Sequence, residues 1–493
     1  MQRAGAACAS EIALRYAERL TGGVLVAAGP GNNGGDAWVV ARALAATGVR
    51  VRVVEAVTAK TDDARAEAAL ARASARIDVG SDSAPIDRGE ALVIDGLLGT
   101  GSHGSPRGDI ATIVNGINAM HDRGAIVVAI DVPSGVDAST GAADGAFVHA
   151  DLTLTFGTMK RGLLARREAC GTVAVLDIGL GPHADLSDGA AELIDERWVS
   201  ASTPAISSEA HKGTRKKLAI VGGASGMAGA SVLAARAALR SGIGMVKLVV
   251  APESLANVQE AEPYALAAAW PSDDATLSRD IVDWADAVVI GPGLGRSDKS
   301  KAMLQRVLTG WHGPTLLDAD AITIFERRLD ELATVLGGRP ALLTPHPVEF
   351  SRLAGLEVEE VLKTRFDVGL EVARSLGAAV LLKGVPTIVN GPDGRRLVSA
   401  SGTAALATAG SGDVLSGIAG TLLAQTEDPL VAGAIAAWVH GRAAERVPTS
   451  TAGLVRGVTL EDVIAELRDA WRFDSRCTRY PVLTELPSVG EAS

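Results

Sequence analysis

The chain reads Ala407-Thr-Ala-Gly-Ser-Gly-Asp-Val-Leu-Ser-Gly417 near its C-terminus, and this stretch predicts a loop that runs directly into a helix. Gly410 and Gly412 let the backbone turn tightly and approach a ligand with no Cβ in the way. The unpaired N–H groups at a helix start attract an anion such as phosphate. Asp413 lies at the same point. It is either a general base for a hydroxyl that is being phosphorylated or an ordinary helix N-cap.

Upstream of this stretch, short apolar runs end in glycine, acid, histidine or lysine, which predicts a parallel sheet with ligands at the carboxyl ends of its strands. These endings are Gly222–Ala230, Gly291–Gly295, Asp318–Asp320, Thr344–Glu349 and Lys383–Thr387. A pocket that collects Gly293, His346, Lys383, Thr387, Gly412 and Asp413 has phosphate donors, a cation and a base, as phosphoryl transfer requires. Glu349 either helps to hold Mg²⁺ or caps the helix that follows it.

The first half of the chain repeats the same alternation of strands, glycine loops and helices. Three predicted strands end in Gly29-Pro-Gly-Asn-Asn-Gly-Gly-Asp36, in Asp95-Gly-Leu-Leu-Gly-Thr-Gly101 and in Asp131-Val-Pro-Ser-Gly135. The first of these loops has neither the dinucleotide fingerprint nor a Walker lysine. Carboxylate, amide and hydroxyl oxygens converge without His or Cys, which favours a hard monovalent or divalent cation.

Length and composition limit the possible classes of protein. A chain of 493 residues exceeds one compact core and predicts two or three domains. The net charge of −11 argues against a nucleic-acid or membrane-surface binder. The three cysteines, Cys8, Cys170 and Cys477, are far apart and predict a reducing compartment. Neither a long apolar run nor a signal pattern is present, so we expect a cytoplasmic protein.

Loss of periodicity over residues 195–216, with more Ser, Thr and Pro, predicts a linker. We therefore expect domains over residues 1–200 and 201–473 and a C-terminal tail over 474–493. Residues 1–20 predict one amphipathic helix, and residues 62–75 another.

Taken together, these loops resemble the bifunctional NAD(P)H-hydrate repair enzymes, in which an NAD(P)HX epimerase precedes an ADP- or ATP-dependent NAD(P)HX dehydratase. The resemblance extends from residue 1 to about 470 and rests on the loops of the first half together with His211-Lys-Gly213, Gly291-Pro-Gly-Leu-Gly295, Thr344-Pro-His-Pro347 and Gly410-Ser-Gly-Asp413. It implies an α/β protein with two domains, an N-terminal Rossmann-like three-layer sandwich and a C-terminal ribokinase-like three-layer sandwich.

The family's site residues are carried over position by position. The epimerase would bind the hydrate with Asn32, Asn33, Gly34, Gly35, Asp36, Gly99, Thr100, Gly101, Ser102, His103, Gly104 and Ser105. Asn33, Asp95 and Ser134 would bind K⁺, and Asp131 would contact the hydrate as the acid/base residue, with Lys160 as its partner. The dehydratase would contact the hydrate through Ala230, Gly293, His346 and Asp413, and the nucleotide through Lys383, Gly384, Val385, Pro386, Thr387 and Gly412.

The resemblance also implies the substrates NADHX and NADPHX, Mg²⁺ with the nucleotide and a homo-oligomer. Bacterial members of the family use ADP, and the Ala- and Arg-rich composition is typical of bacteria, so ADP is the expected co-substrate. The residues leave two alternatives open. The second half could be a small-molecule kinase of the ribokinase superfamily, and the first half could be a non-catalytic ligand-binding domain.

Three departures from the family pattern affect the epimerase half most. Ala37 stands where the family has Gly, which predicts a slightly different helix start, and Val348 replaces a Gly in the His346 loop. The family also has a helical segment before the Met-x-x-Ala-Gly pattern of residues 1–5, so we expect the chain to be short at its N-terminus.

Overall fold

The computed structural model describes residues 1–80, 86–183, 189–447, 455–473 and 478–489, which fold into two compact units. The first unit holds the described residues of 1–183 together with 478–489, and the second holds those of 189–473.

A single sheet forms the centre of the first unit, in the order β18-β7-β6-β5-β4-β1-β2-β3. Its strands are β1 (Val24–Ala28), β2 (Val51–Glu55), β3 (Ile77–Val79), β4 (Leu92–Gly96), β5 (Ile126–Ile130), β6 (Leu152–Phe156), β7 (Thr172–Leu176) and β18 (Val482–Leu486). All neighbours pair in parallel except β18, which is antiparallel to β7.

Helices cover both faces of this sheet. They are α1 (Gln2–Arg15), α2 (Ala17–Leu20), α3 (Asn32–Ala46), α4 (Asp62–Arg72), α5 (Gly108–Asp122) and α6 (Arg161–Ala165). Val24 and Val26 of β1 pack into a core with α1, α3 and α4, whereas Leu25 packs into a second core with α5. Because successive strand residues point to opposite faces, the two cores define the three layers that the sequence predicts.

The second unit has a larger sheet in the order β11-β10-β9-β12-β13-β14-β15-β16-β17-β8. Its strands are β8 (Glu192–Leu193), β9 (Lys217–Gly222), β10 (Met245–Val250), β11 (Leu266–Ala269), β12 (Ala287–Ile290), β13 (Thr315–Leu317), β14 (Ala341–Leu343), β15 (Ala379–Leu382), β16 (Thr387–Asn390) and β17 (Arg396–Ser399). The strands from β11 to β15 are parallel, and β16 is antiparallel to both of its neighbours.

The helices of the second unit also form two layers. They are α7 (Glu196–Ser202), α8 (Ala228–Arg240), α9 (Leu255–Ala261), α10 (Asp274–Leu277), α11 (Asp298–Gly310), α12 (Asp320–Thr323), α13 (Leu329–Leu336), α14 (Pro347–Ala354), α15 (Val358–Lys363), α16 (Val368–Leu376), α17 (Ser411–Thr426), α18 (Pro429–Arg446) and α19 (Leu460–Ala470). One core joins the sheet to α8, α17, α18 and α19, and the other joins it to α11, α13, α14 and α16.

The segments on either side of the expected second domain differ from the sequence prediction. The expected linker contains α7, whose first turn is capped because the Trp198 N–H donates to Asp195 Oδ1 at 2.8 Å. Just before it, β8 pairs with β17 of the second sheet. The expected tail contributes β18 to the first sheet. These strands are short and pair with distant partners, so hydrophobic periodicity does not reveal them.

Two helices also end earlier than predicted. The N-terminal helix breaks at Tyr16, which separates α1 from α2, and α4 ends at Arg72 rather than near residue 75. By contrast, α3 starts earlier than predicted, at Asn32. Asn32–Asp36 therefore form its first turns and not a preceding loop. Helix ends depend on tertiary packing, which local propensity does not describe.

Candidate active sites

The first site lies at the carboxyl ends of β1, β4 and β5, next to the point where the strand order reverses. Two glycines let the start of α3 pack against the loops there. A Cβ on Gly34 would lie 1.9 Å from the Gly29 carbonyl oxygen, and a Cβ on Gly29 would lie 1.7 Å from that of Leu97. Ala37, the departure from the family pattern, is fully buried in the next turn and packs on Gly96. The glycines therefore place Asn33 and Asp36 against the sheet.

Asn33, Asp95 and Ser134 meet below the loop that follows β4. Ser134 donates to both oxygens of Asp95, from its Oγ at 2.6 Å and from its backbone N–H at 2.8 Å. Asn33 Nδ2 donates to the Leu98 carbonyl at 2.7 Å, whereas Asn33 Oδ1 is buried and accepts no hydrogen bond from the described part of the chain. Burial raises the pKa of Asp95 to about 6, although hydrogen bonds from Ser134 and Leu97 act to lower it. A buried carboxyl group beside an unpaired amide oxygen fits a hard cation.

Asp131 follows β5 and adopts a left-handed backbone with φ 67°. This conformation is uncommon for any residue except glycine and often marks a functional position. Lys160 Nζ lies 2.8 Å from Asp131 Oδ1 and also donates to the Phe156 carbonyl at 2.8 Å. Thr155 Oγ1 donates to the same Asp131 oxygen at 3.1 Å. The fold thus brings Asp131 and Lys160 into direct contact.

Asp36 supplies a second carboxyl group to the first site. Its Oδ1 is buried and accepts no hydrogen bond from the residues that the structure describes. Burial raises the pKa of Asp36, the Met1 ammonium 3.9 Å away lowers it, and the charge of Asp131 raises it further. Asp131 is therefore close enough to Asp36 to influence the ionisation of Asp36.

The loop over residues 99–105 lies beside Asn33, since a Cβ on Gly99 would be 3.1 Å from Asn33 Cβ. Gly101 and Gly104 have open space on the side where a Cβ would point. His103 Nδ1 lies 2.9 Å from Asp137 Oδ2, a partner that the sequence does not indicate. Burial raises the pKa of Asp137, but hydrogen bonds from His103, Thr140 and Ser139 bring it down to about 2.

The second site lies at the carboxyl ends of β9 and β12–β15, where α17 also begins. Gly410 is the N-cap of α17 with φ 94°, a conformation that glycine adopts without strain. Asp413 lies within the first turn, and its backbone N–H donates to the Gly410 carbonyl at 3.0 Å. The alternative in which Asp413 is the N-cap is therefore wrong. A Cβ on Gly412 would lie 3.2 Å from Lys383 Nζ, so the absence of a side chain lets the lysine approach the helix start.

Acidic groups surround Lys383 and Asp413. Lys383 Nζ lies 3.0 Å from Asp318 Oδ1 and 3.8 Å from Glu349 Oε2. Burial lowers the pKa of Lys383, but Asp318 and Glu349 raise it above the usual value, so this lysine remains charged. Burial raises the pKa of Asp413 to about 7, and Asp318 and Asp320 add to the rise while Lys383 opposes it. Such a carboxyl group gains and loses a proton near neutral pH, as a general base requires.

His346 is the N-cap of α14. Its Nδ1 accepts hydrogen bonds from the backbone N–H groups of Val348 and Glu349 at 3.2 and 3.3 Å. The backbone N–H of His346 in turn donates to Glu349 Oε2 at 2.9 Å. The sequence suggested that Glu349 either helps to hold Mg²⁺ or caps a helix. The structure shows Glu349 in the cap of α14. Burial lowers the pKa of His346, so the imidazole is neutral near pH 7. Nε2 lies 3.4 Å from Glu349 Oε1, and 46% of the side chain is accessible.

Ala230 and Gly293 lie in contact although they come from different elements, a helix and a loop. Gly293 has φ 60°, and a Cβ there would lie 3.1 Å from Ala230 Cβ and 2.4 Å from the Met227 carbonyl oxygen. The Ala224 N–H donates to the Gly293 carbonyl at 2.7 Å. Ala230 lies in the first turn of α8 and not in the loop before it. The two small residues thus line one narrow part of the site.

The loop Lys383–Thr387 joins β15 to β16 and is held from below by Arg365. This guanidinium donates to the Val385 carbonyl at 2.7 Å and to the Pro386 carbonyl at 2.8 Å. Thr387 Oγ1 donates to the Gly384 carbonyl at 2.9 Å. Gly384 has φ 146°, and a Cβ there would lie 2.2 Å from Arg365 Nη2. Arg365 therefore fixes the shape of the loop.

Sequence reasoning missed Thr155, Asp318 and Arg365, each of which contacts a predicted site residue. Asp318 follows a buried strand in the same way as the chosen residues, so its position was a usable signal. Thr155 lies within β6 and Arg365 lies in the turn between α15 and α16, and neither had such a signal. Among the described residues, no three His, Cys, Asp or Glu side chains form a metal-binding group, and no helix there is long and apolar enough to cross a membrane.

Comparisons with known proteins match both halves of the chain. A family model described as NAD(P)H-hydrate dehydratase matches residues 218–467, and one described as YjeF-related protein N-terminus matches residues 1–162. The chain is 35% identical to the bifunctional NAD(P)H-hydrate repair enzyme Nnr of Escherichia coli K12, with 90% of this chain and 84% of that protein covered. It is 38% identical to the Nnr of Salinibacter ruber, with 90% and 87% covered.

One solved structure resembles the second unit. It is the ADP/ATP-dependent NAD(P)H-hydrate dehydratase of Bacillus subtilis, co-crystallised with ATP and Mg²⁺. The sequences are 29% identical, the TM-score is 0.50, and the alignment covers 57% of this chain and 98% of that one.

Proposed function

Since this chain belongs to the family of bifunctional NAD(P)H-hydrate repair enzymes, we propose that its two sites divide the repair between them. The first domain is the epimerase, which interconverts R- and S-NAD(P)HX. The second is the nucleotide-dependent dehydratase of ribokinase-like fold, which returns S-NAD(P)HX to NAD(P)H. Hydration of the nicotinamide ring gives both epimers, so the first activity supplies the form that the second consumes.

The position of Asp413 carries the proposal for the dehydratase. Asp413 lies in the first turn of α17, close enough to Lys383 for the charge of the lysine to lower its pKa, and the resulting pKa of about 7 suits a general base. Asp413 takes the proton of the hydrate's hydroxyl while the terminal phosphoryl group of the nucleotide is transferred to that oxygen. With ADP, the products of this step are AMP and a phosphorylated hydrate. Loss of phosphate and of the neighbouring ring proton then restores the C5=C6 bond.

The remaining residues bind and orient the two substrates. Lys383–Thr387 and Gly412 hold the nucleotide, and the positive helix end at Gly410–Gly412 faces its phosphates. Ala230, Gly293 and His346 hold the hydrate next to Asp413. Mg²⁺ bound with the nucleotide would neutralise charge on the transferred phosphoryl group. We infer ADP rather than ATP as the physiological donor from the composition of the chain.

In the epimerase, Asp131 is the acid/base residue at the epimerising carbon. Lys160 orients it and balances its charge, since Nζ lies 2.8 Å from Oδ1. Asn32–Asp36 and Gly99–Ser105 line the hydrate site on two sides. The left-handed backbone of Asp131 fixes the carboxylate in one direction, which is an advantage when the substrate must be approached at a single carbon.

The first expected outcome concerns both activities together. Incubation with a mixture of R- and S-NADHX, ADP and Mg²⁺ should restore the absorbance of NADH from both epimers and release AMP and phosphate. The Asp413→Asn protein should bind hydrate and ADP but lose turnover by about 100-fold or more, since general-base catalysis contributes that much. A stable phosphorylated product without NADH would indicate a small-molecule kinase instead. Near-wild-type turnover of Asp413→Asn would refute the role of the base.

The second expected outcome concerns K⁺. The buried oxygens of Asn33 and Asp95 are suitable ligands for this ion, and Ser134 holds Asp95 in place. K⁺ bound by these residues would supply fixed positive charge to the hydrate site. Replacing K⁺ by the larger tetramethylammonium ion should lower both the epimerisation rate and the thermal midpoint of the first domain. The Asn33→Ala protein should no longer respond to K⁺ in either measurement. An equal response to K⁺ in both proteins would contradict the assignment.

We also propose that the enzyme acts in the cytoplasm as a homo-oligomer. Light scattering of the purified protein, at concentrations that span the micromolar range, would measure the oligomeric state directly.

A further inference from the structure

Asp318 connects three elements of the dehydratase site although no substrate role has been assigned to it. The residue follows β13 and is 1% exposed. Its Oδ1 accepts from Thr344 Oγ1 at 2.8 Å and from Lys383 Nζ at 3.0 Å, and its Oδ2 accepts from Ser416 Oγ at 2.7 Å. The donors come from the end of β14, the end of β15 and α17. These three hydrogen bonds, one of them from a charged ammonium group, hold the carboxylate in one orientation.

The backbone fixes Asp318 below the start of α17. A Cβ on Gly291 would lie 1.9 Å from the Asp318 carbonyl oxygen, so the main chain has no room to move on that side. Ala319, the next residue, adopts φ 49° and turns the chain away from the strand. A Cβ on Gly412 would lie 3.7 Å from Asp318 Oδ2. Asp318 therefore lies directly against the helix turn that carries Asp413.

We propose that Asp318 is a positioning residue of the dehydratase, which holds Lys383 over Gly412 and places a fixed negative charge behind Asp413. This inference rests on the proposed role of Asp413 as the base. Ser416, three residues after Asp413 on α17, ties the helix to the same carboxylate. One side chain thus sets the distance between the nucleotide-binding lysine and the start of the helix.

The charges around Asp413 agree with this arrangement. Burial raises the pKa of Asp413, and the charge of Asp318 is the next largest cause of the rise. Lys383 lowers this pKa, while Asp320 and Glu349 raise it. Two histidines near Lys383 are neutral at pH 7, because burial lowers the pKa of His346 and brings that of His440 to about 4. Among the charges that act on Asp413, those of Asp318 and Lys383 therefore have the two largest effects, and the effects are opposite in direction.

The Asp318→Asn variant tests the inference. Without the negative charge, Asp413 should lose its proton at lower pH, and Lys383 should be free to move toward it. The acid limb of the pH profile of kcat/KM should move down by about one pH unit, which is the usual effect of one nearby charge. The plateau should fall about tenfold because Asp413 becomes a weaker base, and the KM for ADP should rise because Lys383 has lost its anchor.

Ser416→Ala is the matched control. It removes one neutral hydrogen bond to the same carboxylate but leaves the charge, so it should lower the thermal midpoint without moving the acid limb. Lys383→Gln should move the limb in the opposite direction, to higher pH, at saturating ADP. If circular dichroism shows that Asp318→Asn does not fold, the shift of the acid limb in Lys383→Gln tests whether this charge pair controls the pKa of Asp413.

Two results would overturn the inference: an acid limb that stays in place in Asp318→Asn, or one that moves equally in Ser416→Ala. The proposed function fails separately. If Asp413→Asn is active, the base has been wrongly assigned. If Asp413→Asn is inactive while the limb of Asp318→Asn is unmoved, only the role of Asp318 is wrong.

Discussion

Each site pairs a lysine with a carboxylate, but the two pairs are used differently. In the first domain, Lys160 contacts Asp131, the proposed acid/base residue, at 2.8 Å. In the second, Lys383 contacts Asp318 at 3.0 Å and leaves Asp413 without an ion-pair partner among the described residues. A base that must accept a proton near pH 7 gains from this separation, because a direct ion pair would stabilise its ionised form.

The epimerase pair leads to a prediction at the residue scale. Asp131→Asn should fold like the wild type, since asparagine tolerates a left-handed backbone, but should lose epimerisation. Lys160→Met should also lose epimerisation, because the carboxylate is no longer oriented. The measurement is the conversion of pure R-NADHX relative to its spontaneous rate. Dehydration of S-NADHX by the same preparations is the control and should be unchanged. Conversion of the R form by Asp131→Asn at the wild-type rate would exclude the acid/base role.

At the scale of elements, the position of α17 depends on its contact with α8. A Cβ on Gly417 would lie 2.0 Å from the Ala234 carbonyl oxygen, so the helices touch through backbone atoms. This contact fixes the direction in which the start of α17 points. The carboxyl ends of β13 and β15 supply Asp318 and Lys383 to the same place. Secondary-structure packing therefore sets the geometry of the site before any ligand binds.

Gly417→Ala should destabilise the second domain by about 3 kcal/mol, as overpacking a closed contact does. Gly229→Ala is the matched control, because Gly229 lies in the first turn of α8 and a Cβ there meets no atom within 4 Å. The control should gain up to about 1 kcal/mol from helix propensity. Urea unfolding followed by tryptophan fluorescence measures both, since Trp38 is the only one of the seven tryptophans before residue 189. Equal midpoints would show that the helices move apart easily.

At the scale of the whole molecule, the chain leaves the first unit and returns to it. β18 pairs with β7, and Val482 enters the core of the first unit with 6% of its surface exposed. Arg15 of α1 forms an ion pair with Glu485, and Arg167 donates to the carbonyl of Pro487. The last strand therefore belongs to the epimerase although it follows the dehydratase in sequence.

A chain that ends at residue 473 should lose β18 and leave β7 as an exposed edge. We expect the epimerase to be inactivated at lower temperature, while dehydration keeps its wild-type half-life. Val482→Ala should give a milder form of the same defect, about 2 kcal/mol, through the cavity that it creates. Leu483→Ala is the control, since Leu483 is 50% exposed and its loss should cost less than about 0.5 kcal/mol. Unaltered epimerase stability after truncation would mean that β18 is dispensable.

The sequence alone determined the fold class, indicated the two activities through its resemblance to a family, and predicted the loops of the candidate sites. Glycine, asparagine and aspartate act on the chain locally, and strands of a parallel sheet present their carboxyl ends at one edge. Asn33, Asp95, Asp131, Lys383 and Asp413 could be recognised for that reason.

Only the tertiary structure decided which side chains touch. Ser416 and Asp318 are 98 residues apart in sequence, yet a hydrogen bond joins them. β18 pairs with a strand that lies some three hundred positions before it, and α3 begins at Asn32 because Gly29 and Gly34 admit close packing. Contacts of this kind depend on the packing of segments that are distant in sequence, and local residue patterns do not predict that packing.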